Sequence, residues 1–239
     1  MIGNDIYMLL LNILPVLMYS FILWGTFPIN SINWRDSWKF LLMGVLSNTF
    51  VILFQLAIPS FYKPMSLPFI FFDPCVDKIF TNNFIQTGLI EEMFKLICFF
   101  MMFKPRTQYE TIFFFCLVSA GFGMTENIYY SHNIPSSDTP LIRAFSAILL
   151  HMSTGIIQGY WISKTLINKF DRSFFGILMR NQKGKVIFYS LIGLMCAAFL
   201  HGLYDFNISI GGDSYPTLLF LTLSIPLTIA YFSVKSIKN

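Results

Sequence analysis

An all-α bundle of about seven transmembrane helices, forming a single integral membrane domain over residues 1–239, is the fold class this sequence predicts. Three observations predict it. Hydrophobic residues make up 55% of the chain and charged ones only 12%, the composition of a polytopic membrane protein with little soluble mass. Apolar runs of about 20 residues recur along the chain, long enough to cross a ~30 Å hydrocarbon layer at ~1.5 Å per residue. Lysine and arginine are also divided unequally between the alternate connections that those runs leave.

The runs are Ile6–Thr26, Trp38–Ile58, Phe84–Phe103, Tyr109–Ser131, Leu141–Ser163, Val186–Phe206 and Tyr215–Val234. The opening Met1–Asp5 has no basic residue and no small-residue cleavage site comes after it, so the first run is expected to be a membrane helix and not a signal peptide. With seven spans, twelve of the 16 lysines and arginines fall on one side and three on the other, Lys95 lying inside a span. That asymmetry puts the N-terminus outside and the C-terminus in the cytoplasm. A long outer loop is expected between the second and third spans. Its apolar piece Leu67–Phe72 is too short to cross and is broken by Pro68, which suits an interfacial or re-entrant segment or a loop packed on the bundle. The cytoplasmic connection Lys164–Lys185 mixes basic residues with Phe174–Met179, as a segment lying on anionic lipid does. Cys98, Cys116 and Cys196 fall in spans and only Cys75 in the long loop, so no disulfide framework is expected. No basic run interleaved with aromatics is present, which sets a nucleic-acid partner aside.

The third span carries Glu91, Glu92 and Lys95 in its middle. Each charge at a helix centre costs about 2.5–3.5 kcal/mol on insertion scales, so these groups need partners or a task. Glu91 and Lys95, four apart, share a face, whereas Glu92 is turned ~100° from Glu91. One carboxylate held by the lysine beside a second in other surroundings is how one residue type supplies both an acid and a base.

Three further spans bring polar groups on their small-residue faces. The fourth carries Glu126 and Asn127, with Ser119, Gly123 and Tyr130 on the face of Glu126. The fifth carries His151, with Thr154, Gly155, Gln158 and Gly159 after it at helical spacing, the glycines reading as a helix-packing pair. The sixth carries His201 and Asp205, four apart, so that the carboxylate can orient the imidazole or share a ligand with it. Singly, each has an ordinary reading as a packing histidine, a structural ion pair or an interfacial aspartate. As a set they converge: in the predicted topology all lie in the outer half of the bilayer, as one hydrated cavity requires.

Glu91-Glu92-x-x-Lys95, Gly121-Phe122-x-x-x-Glu126-Asn127, His151 and His201-x-x-x-Asp205 together resemble the PrsW family of intramembrane proteases, grouped with the CAAX-processing proteases and the APH subunit of γ-secretase. The resemblance covers about residues 85–207, half the chain. The second motif commonly has alanine where Gly123 stands. The resemblance implies site-one cleavage of a membrane-anchored protein, such as an anti-sigma factor, near the outer face of a bacterial cytoplasmic membrane.

Peptide hydrolysis needs a water, a base, donors for the oxyanion and an acid for the leaving amine. The sequence has no Gly-x-Ser-x-Gly elbow, no aspartate pair at common depth and no His-Glu-x-x-His helix. Its candidate catalytic residues are therefore Glu91 or Glu92 as base, with Lys95 tied to the other carboxylate. Asn127, His151 and His201 would serve the water and the oxyanion, Asp205 would orient His201, and Glu126 would be an acid or an acceptor. Two cofactor states stay open: none, or a zinc held by His151, His201, Glu126 and Asp205. A non-catalytic APH-like scaffold and a proton-coupled transporter are the alternatives. Retention of Glu91, Glu92 and Lys95 speaks against the first, and the absence of inverted repeats against the second.

Overall fold

The computed structural model describes residues 13–17, 19, 34–59, 74–102, 107–133, 139–166, 182–210 and 215–237, and every element among them is helical. A 3-10 turn, Trp34–Asp36, leads into α1, Ser37–Ala57, where Lys39 Nζ holds the Asp36 carboxylate at 2.6 Å. The next helical run is continuous from 74 to 102: α2, Pro74–Thr81, a π-helical segment, Asn82–Leu89, and α3, Ile90–Met102. After it come α4, Gln108–Asn133, α5, Thr139–Ser163, with a closing 3-10 turn Lys164–Leu166, α6, Gln182–Ile210, and α7, Tyr215–Lys235. Among the described residues, three helical stretches, Ser37–Ala57, Gln108–Ser131 and Gly184–Ile210, are long and apolar enough by themselves to cross a membrane.

Both faces of the outer helices are apolar, which identifies the medium. On α1 the inward stripe is Phe40, Met43, Gly44, Ser47 and Val51, while Leu42, Leu46, Leu53 and Leu56 are exposed. On α6 Leu194, Ala197, Ala198 and His201 face inward, and Ile187, Leu191, Met195 and Phe199 outward. A water-soluble helix would carry charge on that second face; here it suits hydrocarbon. The chain is a helical membrane bundle.

α4 runs through its centre, with every residue from Ile112 to Val118 buried. Without a hydrophobic force between helices in lipid, small residues must let backbones approach. A Cβ on Gly44 would fall 2.9 Å from Gly121 Cα, so α1 and α4 touch backbone to backbone. Gly155 and Gly159 press α5 onto α4 against Ser119 and Ile112. Beyond this crossing, Phe40 stacks on Phe114 with ring centroids 4.1 Å apart, and Phe99 packs on Phe115 at 4.6 Å, closing one end of the core.

The structure revises one boundary. Residues before Phe84 were expected to be loop, yet the helix starts at Pro74 and Cys75 lies exposed on it. Asp77, Lys78, Asn82 and Asn83 lower hydropathy without breaking a helix, and proline at the first position is favourable. The Leu67–Phe72 piece, residues 167–181 and most of the first expected span lie outside the described residues. The π-helical segment is held close to α6: a Cβ on Gly88 would lie 2.8 Å from the Ala198 carbonyl oxygen, and one on Gly202 2.8 Å from Phe84 Cα. A wide turn of this kind resets the phase of the helix beyond it. Glu91 and Glu92 stand in the first turn of that helix, α3.

Candidate active site

Both glutamates face inward. Glu92 and Lys95 are fully buried, and the lysine ammonium donates to Glu92 Oε1 at 2.7 Å, one turn back on α3. The partner of Lys95 is thus Glu92, in i,i+3 spacing, where four-residue spacing had suggested Glu91. Neighbouring helices decide this. Thr154 Oγ1 at 3.3 Å and His201 at 2.9 Å also donate to Glu92 Oε1, and Gln158 Nε2 donates to Oε2 at 2.6 Å. Four donors from three helices draw that carboxylate into the bundle, and the lysine goes with it.

Lys95 has a second contact, His151 Nδ1 at 2.8 Å, and lies 4.1 Å from the centre of the Phe122 ring. An ammonium group only donates, so Nδ1 accepts and the proton of neutral His151 sits on Nε2. That Nε2–H donates to Glu126 Oε2 at 2.8 Å. Glu126 Oε1 in turn accepts from Arg143 Nη2 at 3.1 Å. Gly123 leaves room for this ring: a Cβ there would lie 2.5 Å from His151 Cδ2. The glycine is more than a small-for-small variant of alanine in this chain, because a methyl group would displace the imidazole.

His201 Nδ1–H donates to Glu92, while its Nε2 faces Asp205 Oδ2 at 3.4 Å and Glu91 Oε2 at 3.6 Å. The rings of His151 and His201 meet edge to face, centroids 4.9 Å apart. Glu91 Oε2 is buried and receives no hydrogen bond among the described residues. One donor atom from each of Glu91, His151 and His201 falls within 4.8 Å of the others.

The structure therefore draws Glu91, Glu92, Lys95, Glu126, His151, His201 and Asp205 into one cluster of direct contacts. Asn127 is buried beside Glu126 on α4. Sequence reasoning missed three contributors. Thr154 and Gln158 had a signal, since both lie with His151 on a polar stripe of an otherwise apolar helix. Arg143 had one too, an arginine inside an expected span, but the topology count places it with the loop charges.

A family model described as "PrsW family intramembrane metalloprotease" matches residues 33–233. The chain belongs to the PrsW family. Among PrsW-family proteins, Protease PrsW of Oceanobacillus iheyensis is 27% identical over 165 residues, covering 66% of this chain and 68% of that protein. No solved structure matches the chain. PrsW-family membership makes the chain a membrane peptidase and leaves the scaffold and transporter alternatives without support.

The PrsW-family description also implies a metal, and the donor chemistry fits one. Two imidazoles and a carboxylate, with a fourth position for water, make a catalytic zinc set. The hydrogen bond from His201 Nδ1–H to Glu92 is the kind that orients a ligating imidazole. The set shares both histidines with the one expected from sequence, with Glu91 where Glu126 and Asp205 were expected. His151 has both nitrogens hydrogen-bonded, so it would exchange one of those bonds for the metal.

Proposed function

We propose that this chain is an intramembrane endopeptidase in which Glu91 is the general base and Glu92 a fixed anchor. One observation carries the assignment. Both oxygens of Glu92 are held by donors of the cluster, whereas buried Glu91 Oε2 receives no hydrogen bond among the described residues and faces His201 Nε2 across 3.6 Å. A polar contact longer than 3.5 Å between two buried groups is where a bridging water belongs.

The water oxygen attacks the scissile carbonyl carbon while Glu91 takes one of its protons. The C–N bond then breaks as that proton passes to the leaving nitrogen. One water is consumed, an acid and an amine leave, and Glu91 returns to its carboxylate form. His201, placed between Glu92 and Asp205, presents Nε2–H to the developing oxyanion when both ring nitrogens are protonated, and Asn127 adds a second donor. His151 closes the other wall of the cavity, its ring aimed by Lys95 and Glu126 as a buried carboxylate aims an imidazole in a hydrolase triad. When a metal is bound, Glu91, His151 and His201 would hold it, with Glu91 then a ligand in place of the base, and the metal would supply Lewis-acid polarisation of the carbonyl and a more acidic water.

Any zinc retained on purification is expected to be bound by this set. Elemental analysis should find its stoichiometry falling at least about tenfold in His201→Ala, since two remaining protein ligands hold zinc poorly. Zinc unchanged in that variant would place it elsewhere.

The substrate class we infer is a membrane-anchored protein of the anti-sigma-factor kind, cut near the outer face of a bacterial cytoplasmic membrane. The motif resemblance and the basic-residue asymmetry support this reading. Orientation is tested in a Cys75→Ser background with an impermeant thiol reagent. A cysteine at position 213 is expected to react in intact cells, and one at position 172 only after permeabilisation. Reaction of both from one side overturns the seven-span topology. The activity itself is tested by incubating purified protein in lipid vesicles with a single-span tethered reporter. Cleavage by the native chain and none by Glu91→Gln is the expected result.

A further inference from the structure

Arg143 has no role in any motif that defines the site, and its position is costly. It sits on α5 two turns before His151 with its side chain only 14% exposed, and a cation at such a place needs a reason to be there. Its guanidinium carbon lies 3.9 Å from the centre of the Tyr130 ring, and Nη2 donates to Glu126 Oε1 at 3.1 Å. Tyr130 and Glu126 are four residues apart on α4 and so share a face. The guanidinium is clamped between them.

The consequence lies at the other oxygen of Glu126. With Oε1 engaged by Arg143, Oε2 is left for His151 Nε2–H at 2.8 Å, and His151 Nδ1 is left for Lys95. The chain of donors and acceptors runs unbroken from Arg143 through Glu126, His151, Lys95 and Glu92 to His201. Each member has one arrangement only, because arginine and lysine donate and carboxylates accept. Remove the arginine and the Glu126 carboxylate is free to rotate, and the aim of His151 goes with it.

We infer that Arg143 is a positioning residue of the peptidase site, acting through Glu126 to hold His151 in the catalytic geometry. The inference rests on the reading of Glu91 and His151 as members of the catalytic set. It predicts a signature that loss of general stability does not give.

The experiment compares kcat and KM of Arg143→Gln, Arg143→Lys, Glu126→Gln and the Arg143→Gln/Glu126→Gln double variant on the tethered reporter in lipid vesicles. A lost charge-assisted hydrogen bond is worth roughly 10–100-fold. Arg143→Gln is expected to lose about that factor in kcat with KM within about twofold. Arg143→Lys, which keeps a donor and the charge, should recover most of the loss. In the Glu126→Gln background the arginine change should have almost no further effect, because the group it acts through is gone. Independent, multiplying losses would overturn the inference, as would a full-activity Glu126→Gln variant. A rise in KM at unchanged kcat would also do so, by assigning Arg143 to direct substrate contact. If Arg143→Gln does not fold, Arg143→Lys and the charge-balanced double variant decide. Arg143→Lys close to the native chain in kcat, with the double variant no worse than Glu126→Gln, supports the role, and any other pattern removes it. Failure of the wider catalytic reading shows separately, as undiminished cleavage by Glu91→Gln.

Discussion

Glu91→Gln is expected to lower the cleavage rate by about 10²–10⁴-fold while leaving expression, membrane insertion and thermal stability near those of the native chain. The magnitude is that of a general base. Stability is spared because Glu91 is weakly held: Oε2 receives no hydrogen bond among the described residues, and His201 Nε2 stands 3.6 Å from it. Glutamine keeps the volume and removes only the capacity to take a proton from water. Glu91→Asp draws the carboxylate back by about one methylene and is expected to keep a small residue of activity, since misplacement by ~1 Å costs roughly a hundredfold. Rates would be measured on the tethered reporter in vesicles. Native-level cleavage by Glu91→Gln would remove this residue from the chemistry and with it the proposed mechanism.

Much of this is legible in the sequence, for a physical reason. Hydropathy measures what lipid measures, so the bounds expected for the second, fourth, fifth, sixth and seventh spans fall within four residues of α1, α4, α5, α6 and α7. Ionisable residues inside apolar runs are expensive enough to be informative, and seven of the eight expected site residues meet in direct contact. What escapes is phase and pairing. Nothing in Asn82–Leu89 announces a wide helical turn, yet that turn precedes the two glutamates and brings both inward. Spacing within a single helix makes Glu91 the natural partner of Lys95. The tertiary pull of Thr154, Gln158 and His201 on Glu92 overrides it. Arg143 escapes because charge counting treats an arginine near a span end as a topology signal, and only the crossing of α4 and α5 shows that it reaches Glu126.

Glu92 and Lys95 should fail in the opposite way to Glu91. Glu92→Gln leaves the Lys95 ammonium with no carboxylate at hydrogen-bond distance, fully buried, and breaking such a pair costs about 3–5 kcal/mol. Lys95→Met leaves the Glu92 carboxylate without its cation, at a similar cost. Both single variants are expected to fold poorly, seen as a large drop in the thermal midpoint in detergent. The Glu92→Gln/Lys95→Met double variant removes both charges together, so much of the stability should return. The coupling across this cycle should exceed about 2 kcal/mol, well outside the range of residues that do not interact. Activity should not return with stability. Lys95 is also the donor to His151 Nδ1, and without it the imidazole keeps only one of the two hydrogen bonds that hold its ring, the one to Glu126. A stable but inactive double variant would separate the two tasks of the lysine, neutralising one carboxylate and anchoring the ring of a histidine. Additive destabilisation in the cycle would mean that the ion pair does not hold the bundle together. Restored cleavage in the double variant would mean that Lys95 has no part in arranging the site.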